Sequence, residues 1–166
     1  MAKVSPLFVL PRTHMLKYTD YDIVFREIPD ETTLAINLSR CPNRCKGCHS
    51  PQLREDIGEE LTTMAMDALL RRYGSSITCV SLMGGDEDTE AVDTMAQYIR
   101  RQGKHAAWYS GRPTLPHNFC PEHFDYVKVG PYIAEYGPLD SPTTNQRLYQ
   151  IKEGQLEDIT QRMQKK

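Results

Sequence analysis

Residues 77–85, Ile77-Thr78-Cys79-Val80-Ser81-Leu82-Met83-Gly84-Gly85, decide the fold. From Ile77 to Met83 the run is almost continuously apolar, as expected of a strand covered on both faces, and it ends in two glycines. Before it, Glu59 to Tyr73 places Leu61, Met64, Ala65, Ala68 and Leu69 on one helical stripe, with Gly74 as a stop. After it the pattern repeats. Asp86 and Asp88 offer N-caps, Val92, Met95, Ala96 and Ile99 make an apolar face, and Gly103 closes it. A doubly covered strand between two amphipathic helices predicts a parallel sheet with crossover connections.

Working outward, Tyr21 to Ile28 reads as a strand stopped by Pro29-Asp30. Thr33 to Ser39 alternates Leu34, Ile36 and Leu38 against Ala35, Asn37 and Ser39, the period of a strand. His105–Ser110 and Asp125–Val129 give two further strands joined by a Pro-rich loop, and Arg147–Ile151 another. A short amphipathic helix is expected from Gln155, with Leu156, Ile159 and Met163 on one side. The fold class is therefore α/β with a mainly parallel sheet. Because a full eight-unit barrel needs at least ~200 residues, the expected architecture is a partial, open β/α barrel. Residues 1–14 read as a mobile appendage, with one domain over residues 15–166.

Composition removes several classes of function. The 166 residues hold 20 Lys+Arg against 22 Asp+Glu, a net charge of −2, which argues against a dominant nucleic-acid surface. No apolar run approaches the ~18 residues of a membrane span, and the N-terminal stretch lacks a secretory apolar core, so a cytoplasmic protein with reduced thiols is expected. Five cysteines are an odd number, and three of them fall within eight residues.

Those three lie in Cys41-Pro42-Asn43-Arg44-Cys45-Lys46-Gly47-Cys48-His49, on the loop that leaves the 33–39 strand. Three thiolates so close can converge on a metal, and soft sulfur favours zinc or iron–sulfur. Structural zinc usually takes four ligands as two separated pairs, whereas this spacing is three then two with no second pair. Cys45 to His49 also fits the C-x-x-C-H pattern of c-type haem attachment, which leaves Cys41 unexplained. The best reading is an iron–sulfur cluster held by Cys41, Cys45 and Cys48, with its last iron left open, the mark of a catalytic site.

A C-x-x-x-C-x-x-C loop after the first strand of a partial barrel resembles the radical S-adenosylmethionine superfamily. Gly84-Gly85-Asp86 is similar to that family's Gly-Gly-Glu motif, with Asp in place of Glu. Within the superfamily, the chain resembles the activating enzymes of anaerobic (class III) ribonucleotide reductase. That likeness rests on Gly47-Cys48, Trp108-Tyr109-Ser110-Gly111, Gly130-Pro131-Tyr132 and Thr144-Asn145-Gln146-Arg147. The chain departs from the family in having Gly47, not an aromatic, before its third cysteine, and Val129, not Asp, before Gly130-Pro131.

The resemblance implies a 4Fe–4S cluster and S-adenosyl-L-methionine as cofactors. Gly84, Gly85 and Asp86 would hold the methionine end, while Gly47 and His49 would lie near the nucleoside. It also implies a glycyl radical enzyme as partner, an anaerobic ribonucleotide reductase, and a low-potential electron donor. From their own chemistry, Ser110 and Lys128 at strand ends suit the ribose and carboxylate of such a cofactor, or serve as a cap and a solvated charge. Asn145 to Arg147 belong to the cofactor or partner surface, or build a turn. A radical enzyme acting on a small molecule and a zinc-stabilised binding module are the competing functions. Cys79 is expected in the core, and Cys120 with His117 and His123 either in a loop or at an auxiliary metal.

Overall fold

The computed structural model describes residues 15–164, so the reading of residues 1–14 lies outside it. Strands β1 (Lys17–Val24), β2 (Thr33–Leu38), β3 (Glu59–Glu60), β4 (Cys79–Met83), β5 (His105–Tyr109), β6 (Tyr126–Val129), β7 (Arg147–Lys152) and β8 (Gln155–Asp158) join in one sheet. Their order is β3-β1-β2-β4-β5-β6-β7-β8. Helices α1 (Thr63–Tyr73) and α2 (Thr89–Arg101) are the crossovers that return the chain to parallel strands. The pairs β2/β4, β4/β5 and β5/β6 are parallel. The outer pairs β1/β2, β1/β3, β6/β7 and β7/β8 are antiparallel. The sheet is thus mixed, with a parallel centre and antiparallel flanks, where a mainly parallel one was expected. It is open, and among the described residues no strand pairing closes it into a barrel.

Alternation along the strands explains why both faces are covered. Leu34, Ile36, Leu38, Val80, Leu82, Ala106, Trp108 and Val127 point to the face packed by Met66 and Leu69 of α1 and Val92, Met95, Ala96 and Ile99 of α2. Cys79, Ala107, Tyr126 and Leu148 point the other way, where Ile28, Leu139 and Ile159 from connecting segments cover them. Among the described residues, no helix is long and apolar enough to cross a membrane.

Three expected elements differ. The strand expected over Tyr21–Ile28 is β1, Lys17–Val24, because Val24 pairs with Thr33 at the start of β2 and the ladder ends there. Helix α1 starts at Thr63, not Glu59, because the Thr62 hydroxyl accepts the Ala65 N–H (3.0 Å) while Glu59–Glu60 pair with β1. That sets the helical phase on Met66 and Leu69, and Met64 is left 79% exposed. The helix expected from Gln155 is instead strand β8 followed by a 3-10 turn at Thr160–Met163. Glu153 (φ +51°) and Gly154 (φ +74°) are both left-handed, the requirement of a two-residue type I′ hairpin. The hairpin pairs Lys152 with Gln155 and turns the chain back before a helix can begin.

Candidate iron–sulfur site

The cysteine loop, Gly84-Gly85-Asp86 and Ser110 each follow the carboxyl end of a parallel strand, the edge at which ligands gather in α/β sheets. β2 ends at Leu38, and Arg40 takes a left-handed turn (φ +60°) into the cysteine loop. The Arg40 and Cys41 N–H groups donate to the Glu55 and Leu53 carbonyls (3.0 and 2.8 Å), tying the start of the loop to the chain that leaves it. Further on, the Cys45 carbonyl accepts from the Cys48 N–H (3.2 Å) and from Arg54 Nη2 (3.0 Å). Gly47 supplies the positive φ (+78°) of that turn, with space for a Cβ 3.7 Å from the Tyr132 ring. The His49 and Tyr132 rings lie 5.1 Å apart. Tyr132 therefore places an aromatic against the Gly47–His49 turn from another part of the chain.

Cys41, Cys45 and Cys48 are half-buried and free. Burial pushes the Cys41 thiol up; hydrogen bonding at Asn43 offsets this in part, while the charges of Asp86 and Cys45 add to the rise. Among the described residues, no three Cys, His, Asp or Glu side chains stand as a metal-holding group, so the three thiols share a loop without converging on one point. The donor set still fits a 4Fe–4S group: soft, unpaired sulfur on one irregular loop that turns on a glycine.

β4 runs into Gly84 (φ +117°) and Gly85 (φ +88°). A Cβ on Gly85 would meet Val92 Cγ2 at 2.4 Å, so the strand-to-helix turn needs glycine there for packing as well as for φ. The helix cap is Asp88, whose carboxylate accepts the Ala91 N–H (3.1 Å). Asp86 is left for the site. Its carboxylate accepts from Asn43 Nδ2 (2.6 Å), from the Ser110 hydroxyl (2.5 Å) and from the Gly111 N–H (2.8 Å), and the residue is 8% exposed. One carboxylate thus joins the cysteine loop to the ends of β4 and β5.

Ser110 is buried and committed to Asp86, also accepting the Arg112 N–H (3.1 Å). Lys128, equally buried, donates to the Gly130 carbonyl (3.1 Å) and stands 5.6 Å from the centre of the Tyr109 ring. Burial pulls its ammonium down to about 8, against the opposing pull of Asp86, Cys45 and Cys41. Lys128 is thus buried, not solvated, and the Ser110 hydroxyl both bonds Asp86 and caps the Arg112 N–H. Asn145 donates to the Pro131 carbonyl (3.0 Å), while its Oδ1 is buried with no donor. That orphaned acceptor belongs to the segment packed on Gly130 and Pro131, just after β6.

Asn43 is the residue that sequence reasoning missed. A small amide between two cysteines and after a proline resembles a turn former, and its partner lies 43 residues away. Away from this mouth, Cys79 is fully buried, as expected, and burial pushes its thiol far above the ordinary range. Cys120 donates to Glu122 (3.1 Å) and lies 3.7 Å from His123 Nε2, whose Nδ1 meets Asp93 (2.8 Å), and no metal-holding group forms there among the described residues. A cavity of about 840 Å³, bordered by Phe25, Arg26, Glu27, Tyr109 and Leu139, opens on the sheet face opposite the helices.

Comparison with known proteins agrees with the thiol chemistry. Residues 32–114, half of the chain, match the family described as a 4Fe-4S single cluster domain. No curated protein and no solved structure gives a match. The matched segment runs from β2 through the cysteine loop, Gly84-Gly85-Asp86 and Ser110, and the chain belongs to the family of 4Fe–4S single cluster domains.

Proposed function

We propose that the chain is a radical S-adenosylmethionine enzyme that generates a glycyl radical on an anaerobic ribonucleotide reductase. The observation that carries this reading is the carboxylate of Asp86, which joins the cysteine loop to the strand ends that bear Gly84, Gly85 and Ser110. When bound, the cluster supplies the electron that cleaves S-adenosylmethionine to methionine and a 5′-deoxyadenosyl radical, which takes a Cα hydrogen from a glycine of the partner.

The chain's own residues bind and place. Cys41, Cys45 and Cys48 would hold the cluster, which would keep one position open for the methionine end of the cofactor. Asp86, at the Gly84–Gly85 turn, offers the carboxylate that an ammonium group needs. Lys128 faces the same charges as a cation and suits the cofactor's carboxylate. Ser110 orients Asp86, so its hydroxyl acts on the cofactor through that carboxylate. Gly47, His49 and Tyr132 line the side proposed for the nucleoside, and a low-potential donor would supply the electron.

The test is anaerobic reconstitution of the full chain. The expected product is brown, holds about four irons, and changes its reduced EPR signal when S-adenosylmethionine is added. Stoichiometric zinc without visible absorption would sink the cluster chemistry. Cys41→Ser, Cys45→Ser and Cys48→Ser should each remove most of the iron, whereas Cys79→Ala and Cys120→Ser should retain it. A glycine-centred EPR doublet on a mixed reductase tests the partner. The 840 Å³ cavity favours a second reading, a small-molecule substrate; cofactor cleavage with no glycyl signal would select it.

A further inference from the structure

Asn43 lies between the first two cysteines, and its amide donates to Asp86 Oδ2 at 2.6 Å. The Asp86 carboxylate is itself fixed, by Ser110 on Oδ1 and by the Gly111 N–H on Oδ2. Ser110 is held in turn, since its N–H donates to the Lys128 carbonyl (2.8 Å). Gly111 completes the seat. A Cβ there would stand 2.7 Å from Asn43 Nδ2 and 3.6 Å from Asp86 Oδ2, so the amide occupies space that only a glycine leaves open. Among the described residues, the N–H groups from 43 to 47 make no backbone hydrogen bond, so side-chain anchoring carries the middle of the loop.

We propose that Asn43 is the positioning residue of the cysteine loop: seated between Asp86 and Gly111, it holds the Cys41–Cys45 segment at the mouth formed by the ends of β4 and β5. This rests on the reading that Cys41, Cys45 and Cys48 hold the cluster. It assigns Asp86 a second task, because the carboxylate offered to the cofactor also anchors the loop that carries the iron. Two of the carboxylate's contacts come from Ser110 and Gly111, directly after β5, so the loop is registered against the end of a central parallel strand.

The experiment compares the wild-type full-length chain with Asn43→Ala and Gly111→Ala. Iodoacetamide labelling of the reduced, metal-free protein gives a rate for each cysteine by mass spectrometry. Both variants should speed labelling of Cys41 and Cys45 roughly tenfold relative to Cys120, the opening expected from losing one charge-assisted hydrogen bond. Cys79, fully buried in β4, should stay unlabelled and so report an intact sheet. After reconstitution, Asn43→Ala should hold less iron than wild type and give a broadened reduced EPR signal. Unchanged Cys41 and Cys45 rates in both variants would overturn the proposal. A rise shared equally by Cys79 would overturn it as well, since that marks loosening of the whole fold. Failure of the cluster reading shows separately, as wild-type protein that takes up no iron.

Discussion

Asp86 and Lys128 place opposite charges inside one mouth, and each has a measurable consequence. Asp86→Ala removes the acceptor of three donors and should cost about 2–4 kcal/mol in urea unfolding. For Lys128 the sign follows from burial. Its pKa falls from an ordinary 10.5 to about 8 in the folded protein, so the unfolded chain binds more protons between those values and stability rises with pH there. The burial penalty is fully present below pH 8 and gone above 10.5, a change on the order of 3 kcal/mol. Comparing metal-free wild type with Lys128→Met by denaturation across pH 7.5–10.5 should show that rise only in the wild type. Gly85→Ala, which drives a methyl into Val92 at a left-handed φ, should cost about 2–3 kcal/mol in the same assay.

At the scale of elements, the β7–β8 hairpin depends on two consecutive left-handed residues. Gly154→Ala should destabilise by about 1 kcal/mol, read as a lower urea midpoint with an unchanged slope. The same hairpin shows where the sequence misleads. Leu156, Ile159 and Met163 fall at helical spacing, but Ile159 alone is buried, and Leu156 lies on an exposed strand. Turn chemistry overrode periodicity. The central strands were legible because burial on both faces makes them nearly all apolar, and α2 because its stripe and its Asp88 cap agree. The three thiols were legible from spacing alone. Asn43 was not, because its role depends on a contact to Asp86 that only the folded sheet creates, and Tyr132 reaches the cysteine turn from a loop more than 80 residues away.

For the whole molecule, the parallel centre and the helices form a rigid side, and connecting segments cover the other. Trp108 marks the junction. It is buried in β5, its ring lies between 6.0 and 6.3 Å from Phe124 and Phe119, and its Nε1 donates to the Gly84 carbonyl (2.7 Å). As the chain's one tryptophan, it reports on core and mouth together. Its fluorescence and the far-ultraviolet circular dichroism should lose their native signals at one urea midpoint; a fluorescence change at lower urea would show the mouth opening first.

The open sheet has one more consequence, which concerns copies of the protein meeting one another. An unclosed sheet ends in two strands whose outward backbone groups could template pairing with another chain. Here one end is the two-residue strand Glu59–Glu60, and the other is Gln155–Asp158 with Glu157 and Asp158 in its four residues. Both end strands are short, exposed and acidic, and the part of β1 that Glu59–Glu60 leaves unpaired among the described residues carries the exposed Asp20 and Asp22. Edge-to-edge stacking would bring carboxylate against carboxylate, so an architecture that leaves its sheet unsealed resists growing into fibres.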